Sequence, residues 1–191
     1  MAGGSVKHSA ICSNLHRRIG NLLDGKDCIL FDSNLKLAIP KHNAFVCPDM
    51  MVVCGKIEIY ENQNDIIQNP MLIVEVLSPS TESFDRGRKF EYYRSLASLS
   101  EYVLVAQKEP IVETYFKQNE KNWLYSVTKG IEENIVLQTL SSGIGLKEIY
   151  QKVENADWDY IDDQEMTLIM QNGYKSIFIE VLMKTKPILK E

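Results

Sequence analysis

The chain has 191 residues, 45% hydrophobic and 25% charged, which is ordinary for a globular protein with one sizeable core. A formal net charge of −5 argues against wholesale coating by nucleic acid but allows a local basic patch. No apolar run reaches the roughly 18 to 20 residues of a membrane span, and the first residues are too polar for a secretory signal. We therefore expect a cytoplasmic protein with no membrane partner.

A helix is the first predicted element, because apolar residues recur at helical spacing from His8 to Leu23. Four short apolar segments then predict strands, at residues 28–31, 35–39, 50–54 and 72–77. Neither of the last two segments alternates cleanly between apolar and polar residues. This pattern predicts strands buried on both faces, as in a layered α/β protein.

A second helix is predicted over residues 84–96, where Phe90, Tyr93 and Leu96 share a face. The elements predicted after it are a core strand at 102–106 and a hairpin of 112–116 and 123–127, and the apolar pair 136–137 with a helical turn at 146–150 closes the main unit. These elements predict one domain over residues 1–153. Residues 154–191 are predicted as a C-terminal extension, in which 177–183 fits either a strand or a helix.

The four cysteines form no CxxC pair, and no histidine spacing turns them into a typical zinc site. We interpret them as free, mostly buried thiols. They are Cys12, Cys28, Cys47 and Cys54.

One acid, Glu75, lies in the middle of the apolar segment LIVEVL. A lone buried carboxylate costs several kcal/mol unless another group neutralises it. Asp49 follows Pro48 at the start of the preceding core strand, and adjacent strands lie about 4.8 Å apart, so the two acids can share one hard cation. The backbone carbonyl of Val76 is a natural further ligand. A bound Mg²⁺ could then polarise a phosphodiester and lower the pKa of an attacking water.

The order of Pro48-Asp49 and Glu75-Val76 resembles the PD-(D/E)xK nuclease superfamily, although Leu77 stands where that pattern has lysine. The segment EVLSPSTESFDRGRKFEYYRSLASLSEYVLV is similar to the bacterial Uma-two family of restriction-endonuclease-like proteins. In that family the lysine is displaced into the following helix, which corresponds to Lys89. The resemblance covers roughly residues 4–153, and the family pattern leads us to expect a domain that is short at its N-terminus.

The resemblance implies an α/β fold, with a central mixed β-sheet flanked by helices, and a Mg²⁺- (or Mn²⁺-) dependent endonuclease whose expected substrate is DNA. It implies catalytic roles for Asp49, Glu75 and Lys89, with Asp49, Glu75 and the Val76 carbonyl as metal ligands. The predicted phosphate contacts are Arg86, Arg88 and Arg94, and the predicted site neighbours are His8, Tyr93 and Gln107. Double-strand cleavage would be served by a homodimer, which the sequence itself does not show.

Three other interpretations remain open at this stage. The arginines could form an ordinary solvated face. Glu75 could form a purely structural salt bridge with Lys89 or Arg86. The protein could also be a catalytically inactive relative that binds nucleic acid or a protein partner.

Overall fold

A mixed six-stranded sheet, two smaller sheets and helices on both sides of the large sheet form the fold. A computed structural model describes residues 5–153 of the chain. The α/β architecture expected from the sequence is confirmed. The segment 154–191, including the predicted element at 177–183, lies outside the described residues, so the domain boundary at 153 stays a prediction.

The helices and strands that the sequence predicted are present close to their expected positions, together with several short elements that it did not predict. The helices are α1 (Val6–Leu23), α2 (Glu82–Phe84), α3 (Phe90–Arg94) and α4 (Leu146–Ile149). The strands are β1 (Cys28–Asp32), β2 (Lys36–Ile39), β3 (Ala44–Val46), β4 (Met50–Cys54), β5 (Ile66–Ile67), β6 (Leu72–Leu77), β7 (Glu101–Ala106), β8 (Ile111–Lys117), β9 (Trp123–Lys129), β10 (Asn134–Leu137) and β11 (Ser142–Gly145).

The large sheet has the strand order β1-β4-β6-β7-β8-β9. Its neighbouring strands are antiparallel except for β6 and β7, which are parallel. Two parallel neighbours need a crossover connection, and here the helical segment between them supplies it. That segment runs through α2, a π-helical turn (Asp85–Lys89) and α3 without a break. We call it the composite helix.

Both faces of β4 and β6 are buried, as the lack of alternation predicted. On one face, α1 packs Ile11, Leu15 and Ile19 against the sheet. On the other face, Tyr93 of the composite helix packs in a cluster with Tyr102 of β7. Glu75 therefore lies in a strand that has no solvated side.

The sequence did not predict the small sheet β3-β2-β5, because β3 and β5 contain only three and two residues. It also did not predict β11, which pairs with β10. Elements this short carry almost no periodic signal. Among residues 5–153, no helix combines the length and apolar character that crossing a membrane would require.

The prediction of four free thiols is wrong for two of them. Cys28 of β1 and Cys54 of β4 are joined by a disulfide. They lie directly opposite each other in the antiparallel register of these strands, a pairing that sequence spacing alone could not reveal. Cys12 and Cys47 are free and half-buried, in line with the prediction.

Candidate metal and phosphodiester site

The predicted acids meet where β4 begins beside β6. Met50 lies opposite Val74 in the antiparallel pair, so Asp49 lies level with Glu75. The Val76 N–H donates to Asp49 Oδ2 at 2.8 Å, and the Asp49 N–H donates to Glu75 Oε2 at 3.4 Å. The register of two central strands thus fixes the relative positions of both acids.

Glu75 is only 3% exposed. Burial raises the pKa of its carboxyl group to about 7, although the nearby ammonium of Lys89 opposes the shift and Asp49 adds to it. Glu75 Oε1 accepts a hydrogen bond from the Tyr93 hydroxyl at 2.7 Å. The pKa of Tyr93 is raised well above its usual value, chiefly by burial, so this phenol stays protonated and acts as a donor.

Lys89 reaches the same carboxylate from the composite helix. Its Nζ lies 2.7 Å from Glu75 Oε1 and 3.1 Å from Asp85 Oδ1, and its side chain is 12% exposed. Burial lowers the pKa of Lys89, but the charges of Glu75 and Asp85 outweigh burial and the net shift is upward. Lys89 is therefore a buried cation between two acids.

Asp85 is a site residue that sequence reasoning missed. It is buried, with 2% exposure, and precedes Lys89 by four residues. That spacing puts both side chains on one face of a helix, and it was the signal available in the sequence. The backbone carbonyl of Asp85 also accepts a hydrogen bond from the Tyr102 hydroxyl at 3.1 Å, which ties the helix to β7.

His8 contacts the other acid from α1. Its Nε2 lies 3.2 Å from Asp49 Oδ2, and its Nδ1 lies 3.5 Å from the sulfur of Cys12. The hydrogen bond to Asp49 is the main reason that the pKa of His8 rises to about 10, with Cys12 adding to the shift and burial opposing it. Gln107 directly follows β7, and its Nε2 donates to the carbonyl of Leu77 at the end of β6, at 2.7 Å.

The three predicted arginines have different surroundings. Arg86 is ion-paired with Glu82 of the same helix and with Glu113 of β8. Arg88 and Arg94 are exposed and lie over aromatic rings, with their guanidinium carbons 6.0 Å from the Tyr92 centroid and 5.0 Å from the Phe90 centroid. Within residues 5–153, neither of these two arginines forms an ion pair.

The oxygen atoms at this point fit a hard divalent cation. Glu75 Oε2 receives only the long contact from Asp49 within the described part of the chain. In an extended strand the N–H and C=O of one residue point to the same side, so the Val76 carbonyl faces Asp49 as its N–H does. Two carboxylates and a carbonyl form the donor set that Mg²⁺ and Mn²⁺ prefer.

The architecture is α/β and restriction-endonuclease-like. It combines a mixed sheet, an acidic pair at two central strands and a lysine from the composite helix. The chain belongs to the Uma2 family. The profile of that family, described as "Putative restriction endonuclease", matches residues 1–147.

Two proteins of Synechocystis sp. are similar in sequence. "Uncharacterized protein slr1290" is 40% identical over 124 residues, which cover 65% of this chain and 64% of that protein. "Uncharacterized protein sll1609" is 33% identical over 130 residues, which cover 68% of this chain and 73% of that protein. This chain therefore spans less than two thirds of the first relative.

A solved structure shares the fold. It is the crystal structure of "a putative nuclease belonging to DUF820" from Anabaena variabilis, with a TM-score of 0.64 and 18% sequence identity. The match covers 78% of this chain and 83% of that one. At this level of identity the match establishes the fold alone.

Proposed function

We propose that the protein is a metal-dependent nuclease that hydrolyses phosphodiester bonds, with DNA as its substrate. Membership of a family described as "Putative restriction endonuclease" supports a nuclease-like function, as does the fold shared with a protein described as "a putative nuclease". One observation carries the proposal. Lys89 Nζ reaches from the composite helix to within 2.7 Å of Glu75 Oε1, and Asp49 accepts a hydrogen bond from the next residue of the same strand.

Mg²⁺ (or Mn²⁺), held by Asp49, Glu75 and the Val76 carbonyl, would supply Lewis-acid polarisation of the phosphate and a lowered pKa of the attacking water. Tyr93 and Lys89 hold Glu75 Oε1, which leaves Oε2 directed toward Asp49. The ammonium of Lys89 would orient the water and stabilise negative charge on the phosphate oxygens.

The substrate backbone would run along the composite helix. Arg88 and Arg94 expose guanidinium groups there, and such groups bind phosphate oxygens well. Arg86 already pairs with two carboxylates, so we assign it a supporting part in phosphate binding.

The proposal also includes a cytoplasmic location, a homodimer that cuts both strands, and a nuclease domain that ends near residue 153.

The proposal is tested by incubating the full chain with supercoiled plasmid, single-stranded DNA and RNA in the presence of MgCl₂, MnCl₂ or EDTA. We expect cleavage with Mg²⁺ or Mn²⁺, none with EDTA, and none for Asp49→Asn. The matched control is Glu132→Gln, which removes an exposed acid whose partner is Lys147. Metal-independent cleavage, or equal rates for Asp49→Asn and Glu132→Gln, would contradict the proposal.

A second candidate function is a nuclease-fold protein that binds nucleic acid without cutting it. The observation in its favour is that Lys89 and Tyr93 already neutralise and hydrogen-bond Glu75 without a metal. In this case Lys89 would be the permanent counter-charge of Glu75 rather than a group that acts on substrate.

Thermal unfolding with divalent ions separates the two candidates. If the acids bind metal, millimolar Mg²⁺ or Mn²⁺ should raise the Tm of the native protein, and Glu75→Ala should abolish the rise, because ligands that bind only the folded state stabilise it. The absence of a shift in both proteins would favour the non-cleaving candidate.

A further inference from the structure

A second group of potential metal ligands lies on the α1 side of Asp49. His8, Cys12 and Asp49 each offer one ligand atom, and these atoms all lie within 4.8 Å of one another. His8 and Cys12 are four residues apart on α1, so both side chains project from one face of the helix. All three residues are half-buried, which shields the group while leaving it accessible from solvent.

We propose that His8, Cys12 and Asp49 form a binding site for a borderline-soft divalent cation, with Zn²⁺ as the expected ion. A thiolate and an imidazole favour Zn²⁺, Co²⁺ or Ni²⁺ over Mg²⁺, which prefers oxygen ligands. Three protein ligands leave the fourth tetrahedral position to water. The spacing of the cysteines alone did not reveal this site, because Asp49 lies just before β4 and 37 residues after Cys12.

The geometry needs only a small adjustment to receive the ion. Bond lengths of about 2.0 to 2.3 Å place tetrahedral ligand atoms roughly 3.5 Å apart. His8 Nε2 is already 3.2 Å from Asp49 Oδ2, while Nδ1 is the nitrogen 3.5 Å from Cys12 Sγ. The imidazole ring must turn so that one nitrogen faces both partners. On binding, the Cys12 thiol and the imidazolium form of His8 each release a proton to solvent, so that a thiolate and a neutral imidazole nitrogen face the ion and the dication supplies the positive charge beside Asp49.

The site shares Asp49 with the proposed magnesium site. If the proposed function is correct, Zn²⁺ bound to His8, Cys12 and Asp49 would withdraw one carboxylate from Mg²⁺, and the two ions would compete. This consequence rests on the proposed function, whereas the zinc site itself does not. An experiment that reads the metal–sulfur bond directly keeps the two claims separate.

Cobalt is a suitable probe because a bond between Co²⁺ and a thiolate gives charge-transfer absorption in the near ultraviolet. The full chain is titrated with CoCl₂ under anaerobic conditions without added reductant, so that the Cys28–Cys54 disulfide stays closed. We expect one equivalent of Co²⁺ to produce the band and one equivalent of ZnSO₄ to remove it. Cys12→Ala should eliminate the band and weaken Zn²⁺ binding by at least about 100-fold, since even changes to residues behind the ligands cost about 10- to 100-fold.

The matched control is Cys47→Ser, which removes the other free thiol and should retain the band. Glu75→Gln removes a proposed magnesium ligand and should also retain it, so failure of the magnesium site would not be mistaken for failure of this one. The proposal is overturned if native protein gives no band, if the band survives Cys12→Ala, or if either control loses it. Cys12→Ser, with circular dichroism, distinguishes loss of the band through misfolding from loss of the ligand. If Cys12→Ser is folded and lacks the band, Cys12 is the thiolate that binds the metal.

Discussion

Replacing Glu75 with glutamine is expected to lower metal-dependent cleavage by at least about 1,000-fold while the protein remains folded. A neutral amide is a poor ligand for a hard cation, and loss of several kcal/mol of metal stabilisation corresponds to this factor. The amide oxygen can still accept hydrogen bonds from Tyr93 and Lys89, so local packing should persist. Initial cleavage rates in MgCl₂, with circular dichroism to confirm folding, provide the measurement.

The result that would contradict this prediction is a Glu75→Gln rate within about tenfold of the native rate. Such a rate would show that the cation, if one is bound, does not depend on this carboxylate. Glu132→Gln is again the matched control, because it makes the same chemical change in an exposed pair. A loss of cleavage in Glu132→Gln would point to a general defect.

Glu75→Gln also tests how the stability of the metal-free protein, measured in EDTA, depends on pH. Burial raises the pKa of Glu75 from 4.5 to about 7, so the metal-free folded protein holds a proton here that the unfolded chain releases. The stability contributed by this group is therefore fully present below about pH 4.5 and is lost as the pH rises through about 7. Urea unfolding should show this fall in the native protein but not in Glu75→Gln. If the free energy of unfolding changed with pH in the same way in both proteins, the raised pKa of Glu75 would be contradicted.

Above about pH 7, where Glu75 is ionised, Lys89→Met is expected to lower the free energy of unfolding in EDTA by about 3 to 5 kcal/mol, because it leaves the buried acids Glu75 and Asp85 without their cation. Methionine keeps most of the length and apolar contact of the lysine stem. Urea denaturation gives the measurement. Lys147→Met is the control, since it breaks an exposed pair and should change stability by no more than about 1 kcal/mol.

Magnesium should restore more stability to Lys89→Met than it adds to the native protein. In the variant, no side chain of residues 5–153 would form an ion pair with Glu75, so a bound dication would supply the positive charge that Lys89 supplies in the native protein. The Tm increase on adding MgCl₂ should therefore be larger for the variant. A loss of stability below about 1 kcal/mol would contradict the buried ion pair, and an equal Tm increase in both proteins would contradict metal binding at Glu75.

Periodicity predicted most of the fold because α1 repeats apolar residues at helical spacing and β4 and β6 are apolar over nearly their whole length. The helix α1 and the strands β4 and β6 carry patterns that only buried elements produce. The composite helix was predicted near its observed position, but its π-helical turn was not predicted, because such a turn does not change the spacing of apolar residues in a recognisable way. The small sheet β3-β2-β5 was missed because its edge strands depend on tertiary pairing rather than on local sequence.

Within the candidate site, the sequence pointed to residues that are unusual where they stand. Glu75 was conspicuous in an apolar strand, and the family pattern directed attention to Asp49 and Lys89. The Tyr93 hydroxyl was recognised only as a neighbour that could reach the site, and the structure shows its hydrogen bond to Glu75. The pairing of Arg86 with Glu113 was not foreseeable, because it joins a helix to a strand 27 residues further along the chain.

The π-helical turn at Asp85–Lys89 makes the length of this segment as important as its composition. Each residue of an α-helix advances the chain by about 100° around the axis, and a π turn accommodates one extra residue. Removing a single residue there, such as Gly87, would leave the acids and the lysine chemically intact yet rotate Lys89 about the helix axis, out of register with the strand. Homologues could therefore exchange individual amino acids in this stretch more readily than they could gain or lose one.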